Sequence, residues 1–507
     1  MFVDYINPPN TEYVGLFKIE SMLAFTILLI WVFCFLFVTA LLVRRHLLRK
    51  QLAEKHKFFR SPTILAFFHP YCNSGGGGER VLWTGINCLL RTYPSLLIFI
   101  YTNDTTCFDS PNRVFQKIRD TFDISIGDTE RVTFVRLRSE PLLRANLYSV
   151  LTLAGQAFGS IVAALECLIR LPPDFYIDTT GFSFTIPLFS WLIGARCGAY
   201  IHFPTISTDM INRVIQHSRA TSYNNSSRIR SSQFLTTLKT FYYIIFKWIY
   251  GWTGSSVNCH AVAVNSTWTR RHIESLFGSR PFLLYPPCPC LVNGTSGREK
   301  RKPWIMSIGQ FRPEKNHLLQ LKSFELFLKK VHGDRSPFCL ILIGGCRDST
   351  DYLRVDRLRE AAKRLGLSDQ QVIFEVNASS ETVKKYLSEA TINLHTMTDE
   401  HFGIGIVEGM AAGLVTVANR SGGPLMDIIG PALAEPHINP STVKPTPVGY
   451  LASNEAEYAD ILHYVLAEAT PSQLDPLRNA AKKRAQSLFS EAAFFKGWLQ
   501  FVNKLTV

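Results

Sequence analysis

Residues 399–413 have the sequence DEHFGIGIVEGMAAG, in which two carboxylates, Glu400 and Glu408, are separated by seven residues. We expect Glu400 in a glycine-containing turn and Glu408 on the helix that this turn opens. The N-terminus of a helix carries unpaired backbone N–H groups and a partial positive charge, which suit a phosphate-bearing ligand. Carboxylates beside it can hold sugar hydroxyl groups. The stretch therefore predicts a site for a nucleotide-linked sugar.

Strand-like and helical segments alternate on both sides of this stretch. Because strands that alternate with helices form parallel sheets, the pattern predicts two doubly wound, Rossmann-like α/β domains with ligand loops at one edge of each sheet. Two such domains that face each other enclose a cleft. The predicted strands are 63–68, 96–101, 132–137, 175–178 and 197–201 in the first half, and 304–308, 338–343, 372–376, 391–394 and 415–418 in the second.

The first predicted strand runs into the sequence HPYCNSGGGGER, residues 69–80, and a helical pattern follows. A strand, a glycine loop and a helix in this order bring backbone amides close to a phosphate. The stretch matches neither Gly-x-Gly-x-x-Gly nor a Walker loop, so a flexible turn is the alternative interpretation. His202 follows the strand at 197–201, at the edge where open α/β sheets bind ligands, although a lone histidine is more often structural.

The net charge of the chain indicates which ligands or surfaces it can bind. The chain has 54 Lys and Arg against 40 Asp and Glu, a formal charge of +14, which favours an anionic ligand or surface. Nucleic acid is not expected, because no basic block with interleaved base-stacking aromatic residues occurs. The 11 cysteines are scattered and contain no Cys-x-x-Cys pair, which is typical of buried free thiols in a reducing compartment.

An uncharged apolar run, residues 22–43, has the roughly 20 residues that a bilayer-spanning helix needs. The segment 44–61 that follows is rich in Lys and Arg, so the positive-inside rule predicts a lumenal tail, 1–21, and a body on the cytosolic side. Glycosylation would test this orientation, because acceptor sequences such as those that begin at Asn103, Asn265, Asn293 and Asn377 are modified only on a lumenal chain.

Three apolar helical segments leave two interpretations open. Residues 151–170, 182–193 and 234–252 are either core helices or helices on the membrane surface, where Trp, Tyr and Lys are favoured. The Ser/Asn/Arg-rich segment 217–233 between the last two predicts a loop.

Proline and a polar, charged run at 291–303 predict a linker. It separates a first domain, 62–290, from a second domain, 304–470. The remaining residues, 471–507, have a helical pattern, and we expect them to pack back across the first domain.

Four elements occur in one order along the chain: the glycine loop 75–78, His-x-Pro at His202, Pro-Glu-Lys at Lys315, and the Glu400–Glu408 pair. In this combination the chain from Pro62 onward resembles the retaining GT-B glycosyltransferases of glycosyltransferase family 4.

The stretch 69–80, the single N-terminal anchor and the sequence QFRPEKNH at 310–317 are similar, more narrowly, to the α-1,2-mannosyltransferases of the dolichol-linked oligosaccharide pathway. Members of that family use GDP-mannose on the cytosolic face of the endoplasmic reticulum. They add two successive α-1,2-mannoses, the fourth and fifth, to a dolichol-diphosphate oligosaccharide.

The resemblance implies that the second domain binds GDP-mannose. Glu408 would hold the ribose hydroxyls and Glu400 the mannose hydroxyls. Backbone amides at Phe402, Gly403 and Ile404 would face the sugar and its phosphate.

Two cations are expected to stabilise the negative charge that develops on the leaving β-phosphate. These are Lys315 and Arg312. In the family an arginine usually follows the glycine directly, where this chain has Gln310, so we expect Arg312 to take over that role.

The first domain would supply the acceptor side. Gly76 and Gly77 would approach the donor, whereas Gly75, Gly78 and His202 would lie near the acceptor. The residues expected to be catalytic are His202, Arg312, Lys315 and Glu400.

The resemblance implies retention of configuration, and the sequence offers no obvious nucleophile, so front-face transfer is expected. We expect no cofactor and no required metal ion, because no Asp-x-Asp clip occurs. Membrane phospholipids and other mannosyltransferases of the same pathway are further expected partners. The alternatives are a pathway glycosyltransferase with another linkage or a UDP-sugar donor, and a non-catalytic membrane scaffold of the same fold.

Overall fold

Two separate parallel sheets form the body of the chain, and one long helix precedes them. The computed structural model describes residues 11–55, 63–215, 232–288, 301–430 and 447–506. The strands of the first sheet are β1 (Thr63–Phe68), β2 (Leu96–Thr102), β3 (Val132–Arg136), β4 (Phe175–Asp178), β5 (Arg196–Ile201), β6 (Ala261–Val264) and β7 (Phe282–Leu283). Those of the second are β8 (Lys302–Ile308), β9 (Cys339–Gly344), β10 (Val372–Val376), β11 (Ala390–His395), β12 (Val415–Asn419) and β13 (Tyr450–Ala452).

Helices cover both faces of each sheet. They are α1 (Thr11–Lys55), α2 (Gly77–Thr92), α3 (Thr106–Asp109), α4 (Pro111–Phe122), α5 (Thr152–Arg170), α6 (Ile186–Ile193), α7 (Thr208–Ile215), α8 (Gln233–Thr253) and α9 (Thr267–Phe277), followed by α10 (His317–Lys330), α11 (Ser349–Arg364), α12 (Ser380–Glu389), α13 (Ile404–Ala412), α14 (Glu455–His463), α15 (Pro471–Phe489) and α16 (Glu491–Thr506).

The strand order places the ligand edge of each sheet. The first sheet runs β3-β2-β1-β4-β5-β6-β7 and the second runs β10-β9-β8-β11-β12-β13. Every strand pair among the described residues is parallel. The order reverses between β1 and β4 and between β8 and β11, and open α/β sheets bind ligands at the carboxyl ends of strands at such a point. The glycine loop follows β1, and the turn that contains Lys315 follows β8.

The strands themselves explain why the sheets are parallel. The sequences TILAFF of β1 and LLIFIYT of β2 are almost entirely buried, as strands covered on both faces must be. All ten strands predicted from the sequence are present, so the two-domain, doubly wound fold is confirmed. Three further strands, β6, β7 and β13, were not predicted. They have two to four residues, too few for a hydrophobic pattern to distinguish them from loops.

The N-terminal helix α1 is continuous over 45 residues. It contains the apolar run 22–43 and is long and apolar enough to cross a membrane. It also extends into the predicted tail, 1–21, and into the basic segment, 44–61. Residues 1–10 and 56–62 lie outside the described residues.

Basic residues that follow the apolar run bind the first domain. Arg45 donates to Asp174 Oδ1 at 2.6 Å and to the carbonyl oxygen of Ile193 at 2.6 Å. Arg44 donates to the carbonyl oxygen of Arg170 at 3.1 Å. These arginines therefore fix the body to α1, beyond any effect that their charges have on orientation in a membrane.

The two C-terminal helices divide between the domains. Helix α16 packs on the first domain, where Trp498 and Phe501 join its core. Helix α15 instead packs on the second domain, through Leu474 and Leu477. The expectation that 471–507 as a whole packs on the first domain is therefore wrong for α15. The sequence shows that α15 has an apolar side, but it does not show which domain that side packs against.

The expected linker, 291–303, overlaps the second sheet by two residues, because β8 begins at Lys302. Residues 289–300 lie outside the described residues, as do residues 216–231, which include most of the predicted polar loop 217–233.

Candidate active site

The second domain holds a buried cluster of charge around Glu400. Lys315 Nζ donates to Glu400 Oε2 at 2.5 Å, and His395 Nε2 lies 2.9 Å from the same oxygen. Burial alone would raise the pKa of the Glu400 carboxyl group, but the charge of Lys315 and the hydrogen bond from His395 outweigh it and hold that pKa well below its ordinary value. Glu400 is therefore ionised.

Hydrogen bonds fix the turn that carries Lys315. Thr396 Oγ1 donates to the carbonyl oxygen of Lys315 at 2.9 Å, and Gln320 Nε2 donates to Thr396 Oγ1 at 2.9 Å. Asn316, the next residue, has φ +50°, a left-handed conformation that asparagine tolerates better than most residues. The end of β11 and the start of α10 thus hold the lysine in place before any ligand arrives.

The turn that contains Glu400 requires glycine at two positions. Gly403 has φ +104° and precedes the first turn of α13. Gly422 has φ +55°, and a Cβ atom there would lie 2.3 Å from the carbonyl oxygen of Glu400. Gly423 N donates to that same carbonyl oxygen at 2.8 Å. The loop after β12 therefore supports the turn from beneath.

Glu408 lies on α13, as expected, and its side chain is 19% exposed. Arg80, at the first turns of α2 in the other domain, lies 4.0 Å from it across the cleft. The Arg80 guanidinium also covers the Phe122 ring, 5.1 Å from its centroid. Glu408 therefore faces the first domain.

The glycine loop of the first domain reaches the start of α13. A Cβ atom at Gly77 would lie 2.7 Å from Ile404 Cδ1, and one at Gly78 would lie 3.4 Å from His202 Nε2. A side chain at Gly77 would therefore require the Ile404 side chain to move. The loop thus joins two predicted elements, the N-terminus of α13 and the His202 side chain, that come from different domains.

Glu79 and His69 set the shape of this loop. Glu79 Oε2 accepts from Gly76 N at 2.7 Å, and Glu79 Oε1 lies 3.4 Å from His69 Nε2. The other ring nitrogen of His69 lies 2.7 Å from Thr179 Oγ1, at the end of β4. Burial would raise the pKa of the Glu79 carboxyl group, but its hydrogen bonds to His69 and Gly76 lower it.

His202 is a neutral group at the cleft. Burial lowers its pKa from 6.5 to about 4, with a smaller contribution from His69. Its Nε2 atom is buried and has no hydrogen-bond partner among the residues that the structure describes. A buried nitrogen without a partner can serve a hydroxyl group of a ligand.

Two further predicted residues lie in different settings. The Phe402 ring is buried and packs against Phe489 and Tyr285, so only the backbone of Phe402 can face a ligand. Arg312 lies on the turn of Lys315, with its guanidinium 4.0 Å from the Glu314 carboxylate. The structure places Arg312 beside the cluster but gives it no role, so its predicted role stays a prediction.

A buried aspartate joins the two domains behind the cleft. Asp427, from the second domain, accepts from Thr267 N at 3.0 Å with both carboxylate oxygens, and from the Tyr285 hydroxyl at 2.9 Å. Thr267 is the first residue of α9, so the carboxylate stabilises the positive end of that helix. Arg484 donates to the carbonyl oxygen of Asp427 at 2.7 Å.

Sequence reasoning missed His395, Glu79, Arg80 and Asp427. His395 had a usable signal, because it directly follows the predicted strand 391–394 at the ligand edge. Glu79 and Arg80 stood inside the quoted glycine stretch, but their partners could not be read from it. Asp427 had no signal, since its partner Thr267 is 160 residues away.

Comparison with known proteins identifies the family. Residues 62–277 match the family described as ALG11 mannosyltransferase N-terminus, and residues 294–483 match glycosyl transferases group 1. The protein named GDP-Man:Man(3)GlcNAc(2)-PP-Dol alpha-1,2-mannosyltransferase from Homo sapiens is 40% identical over 464 residues, 90% of each chain. Its namesake from Xenopus tropicalis is 41% identical over 457 residues, 89% of each chain. The chain belongs to this mannosyltransferase family.

Solved structures agree on the fold. A glycosyltransferase from Rickettsia africae ESF-5 superimposes with a TM-score of 0.57 at 13% identity, over 88% of this chain and 99% of that one. The mannosyltransferase therefore has the GT-B fold that the four sequence elements predicted.

Proposed function

We propose that this mannosyltransferase transfers mannose from GDP-mannose, in α-1,2 linkage, to a dolichol-diphosphate-linked oligosaccharide. The names of the relatives from Homo sapiens and Xenopus tropicalis support the donor, the linkage and the acceptor. One observation carries the proposal for the site: the glycine loop meets the N-terminus of α13 at Gly77 and Ile404. Ile404 is four residues from Glu400 in the sequence, so this contact supports a site between the glycine loop and the Lys315–Glu400 pair.

In the proposed reaction, the acceptor hydroxyl oxygen bonds to C1 of mannose on the face that GDP leaves. The bond between C1 and the β-phosphate oxygen breaks, and the hydroxyl proton passes to that phosphate. Lys315 and the amides at the start of α13 stabilise the negative charge on the leaving diphosphate. Configuration at C1 is retained without an enzyme nucleophile.

Each carboxylate has its own part in holding the donor. Glu400 Oε2 is already bonded to Lys315 and His395, so we assign Oε1 to the mannose hydroxyls. Glu408 holds the ribose hydroxyls. On the acceptor side, His202 Nε2 bonds a sugar hydroxyl, and its neutral state adds no positive charge there.

We further propose that α1 crosses the membrane of the endoplasmic reticulum and that the body lies on its cytosolic face. A dolichol acceptor stays in the bilayer, so the cleft must be held at the membrane surface. Orientation can be checked on the gel mobility of the full chain before and after endoglycosidase digestion. A shift would contradict a cytosolic body.

The decisive test of function is transfer in vitro. Purified enzyme is incubated with labelled GDP-mannose or UDP-sugars and a lipid-diphosphate oligosaccharide, and the product is digested with an α-1,2-specific mannosidase. We expect transfer from GDP-mannose alone and complete release of the label. Resistance to digestion would favour another linkage, and transfer from a UDP-sugar another donor.

Two variants separate an enzyme from a scaffold. We expect Lys315→Ala and Glu408→Ala to abolish transfer while the protein stays in membranes, and near-normal turnover of both would contradict the donor site. We also expect activity to survive EDTA, since the reaction proposed here needs no metal ion. Loss of transfer in EDTA that added Mg²⁺ or Mn²⁺ restores would disprove that part.

A further inference from the structure

Helix α8 carries an exposed apolar stripe along its whole length. The stripe consists of residues spaced alternately four and three apart, which share one side of a helix: Phe234, Leu238, Phe241, Ile245, Trp248 and Trp252. Phe234 is 75% exposed and Trp248 is 74% exposed. The opposite side of α8 is buried through Tyr243, Phe246 and Tyr250. This helix therefore packs on the domain with one side and presents large hydrophobic residues with the other.

Neighbouring helices extend the exposed area. Trp191 on α6 is 59% exposed, and its ring lies 5.3 Å from that of Trp252. Phe158 on α5 is 64% exposed, and α5 is tied to α8 by a 2.9 Å hydrogen bond from Ala154 N to the Tyr242 hydroxyl. Apolar patches of this extent are uncommon on soluble proteins and mark an interaction surface.

The position of α1 says what covers this surface. Leu41 is 3% exposed and belongs to the same hydrophobic cluster as residues of α5, α6 and α8, and Phe37 packs against that cluster. Both residues lie inside the apolar run 22–43. A helix rises about 1.5 Å per residue, so from Phe37 to the end of the run at Val43 the body contacts about 9 Å of the membrane-spanning part.

Charge agrees with this placement. Helix α8 contains Lys239 and Lys247 and no acidic residue. An amphipathic helix whose only charged residues are basic is typical of the lipid headgroup region, where lysines are attracted to phosphates.

We propose that the exposed side of α8, together with Trp191 and Phe158, is immersed in the cytosolic leaflet of the bilayer that α1 crosses. The connection between α1 and the body is rigid. The arginines after the apolar run bind the ends of α5 and α6, so α1 and the stripe form one rigid membrane face. Helix α5 is also apolar enough to span a membrane, but its buried side is fixed against the first sheet through Ala163, Ala164 and Cys167. It therefore lies along the surface.

This inference rests on the proposed crossing of α1 but not on the proposed transfer reaction. Its test uses the full chain in lipid nanodiscs, with single cysteines labelled by an environment-sensitive NBD dye. Cys34, Cys346 and Cys290 are first replaced by serine. The test variants are Phe241→Cys and Trp248→Cys. The matched control is Leu353→Cys on α11 of the second domain, which is 56% exposed. Phe33→Cys on α1, 71% exposed, reports the bilayer interior.

We expect dye at 241 and 248 to lose at least half of its fluorescence to lipids that carry a nitroxide at carbon 5 of the acyl chain, and to be protected from iodide in water. Dye at 353 should respond to iodide only, and dye at 33 to nitroxide at carbon 12. Iodide quenching at 241 and 248 would overturn the proposal. Protection from both quenchers would overturn it too, because a protein partner or a second copy would then cover the stripe.

Activity provides a second measurement. Phe241→Glu with Trp248→Glu should lower the rate on a long-chain dolichol acceptor about tenfold and leave the rate on a short, water-soluble acceptor unchanged. Leu353→Glu should change neither rate. If the double substitution changed the rate by the same factor on both acceptors, the stripe would have no role in presenting the cleft to lipid. Failure of all transfer by the unsubstituted enzyme would instead refute the proposed function and leave the quenching result standing.

Discussion

The two sides of the cleft differ in the kind of interaction that they offer a ligand. On the second domain, Lys315, His395 and Glu400 form a network of charged hydrogen bonds that is complete without ligand. On the first domain, a loop of four glycines and a neutral His202 approach the same place, and close contact with Ile404 replaces charge. One side supplies an electrostatic field, and the other supplies shape.

This difference suits a transfer reaction. Negative charge develops on the leaving diphosphate, so fixed cations are useful only there. A second cation near the acceptor would compete for the phosphate or repel the developing positive charge on the sugar ring. The comparison therefore predicts that loss of charge on the second domain is far more harmful than loss of polar groups on the first.

The largest effect is expected for Lys315→Ala. Removing one fixed stabilising group commonly costs about 10²–10³-fold in kcat, and here the loss also removes the charge that keeps the pKa of Glu400 low. We expect at least a 10³-fold slower transfer of mannose in membranes. Lys322→Ala is the control, because Lys322 forms a surface ion pair with Glu455 at 2.8 Å and should be near neutral. Comparable losses in both variants would show that the assay reports folding.

A smaller effect is expected for Glu79→Ala on the glycine side. The substitution removes the acceptor for Gly76 N and frees the loop, while loss of a capping interaction costs roughly 1 kcal/mol of stability. We expect about a thirtyfold lower kcat. This is a larger change in rate than a free-energy difference of about 1 kcal/mol would produce. Glu79→Gln keeps an oxygen for Gly76 N and should recover most of the rate. If Glu79→Ala were as slow as Lys315→Ala, the contrast between the two sides would be wrong.

The sequence predicted the sheets better than the cleft, and the physical reason is range. Strands such as TILAFF carry their own pattern, and glycines at positive φ mark turns locally. The contacts that build the site are not local: Lys315 and Glu400 are 85 residues apart, and Arg80 meets Glu408 from the other domain. Family resemblance brought Lys315, Glu400 and Glu408 together before the fold was known. It gave no hint of Asp427 and no role for Glu79, although Glu79 lies inside the stretch 69–80 that carries the resemblance.

Arg80 sharpens the comparison, because it is a cation that the first domain contributes to the cleft. It lies 4.0 Å from Glu408, so we expect it to orient that carboxylate for the ribose. Arg80→Met keeps the apolar packing on Phe122 and removes the charge. The expected result is a KM for GDP-mannose raised about fivefold, near 1 kcal/mol, with kcat unchanged. A lower kcat at unchanged KM would place Arg80 in the chemistry instead.

The smallest effect is a dependence of stability on pH, which tests whether the His202 side chain is neutral at the cleft. Because the pKa of His202 is lowered from 6.5 to about 4, the unfolded chain binds a proton there between pH 6.5 and 4 that the folded chain does not. His202 therefore costs no stability above pH 6.5, and the free energy of unfolding falls as pH drops through that window. The loss is about 3 kcal/mol near pH 4. Burial raises the pKa of Asp178 to about 6, so protonation of Asp178 stabilises the fold as pH drops. This contribution is the same in wild type and in a His202 variant.

Thermal unfolding of wild type and His202→Gln at pH 7.5 and pH 5 isolates the histidine. We expect the drop in midpoint on acidification to be smaller in the variant, since glutamine gains no proton. The wild-type transfer rate should show no inflection from His202 between pH 5.5 and 8. Equal drops in both proteins, or an inflection near pH 6.5 that His202→Gln removes, would mean that the histidine is protonated at the cleft. His202 would then contribute positive charge, and the contrast between the two sides of the cleft would fail.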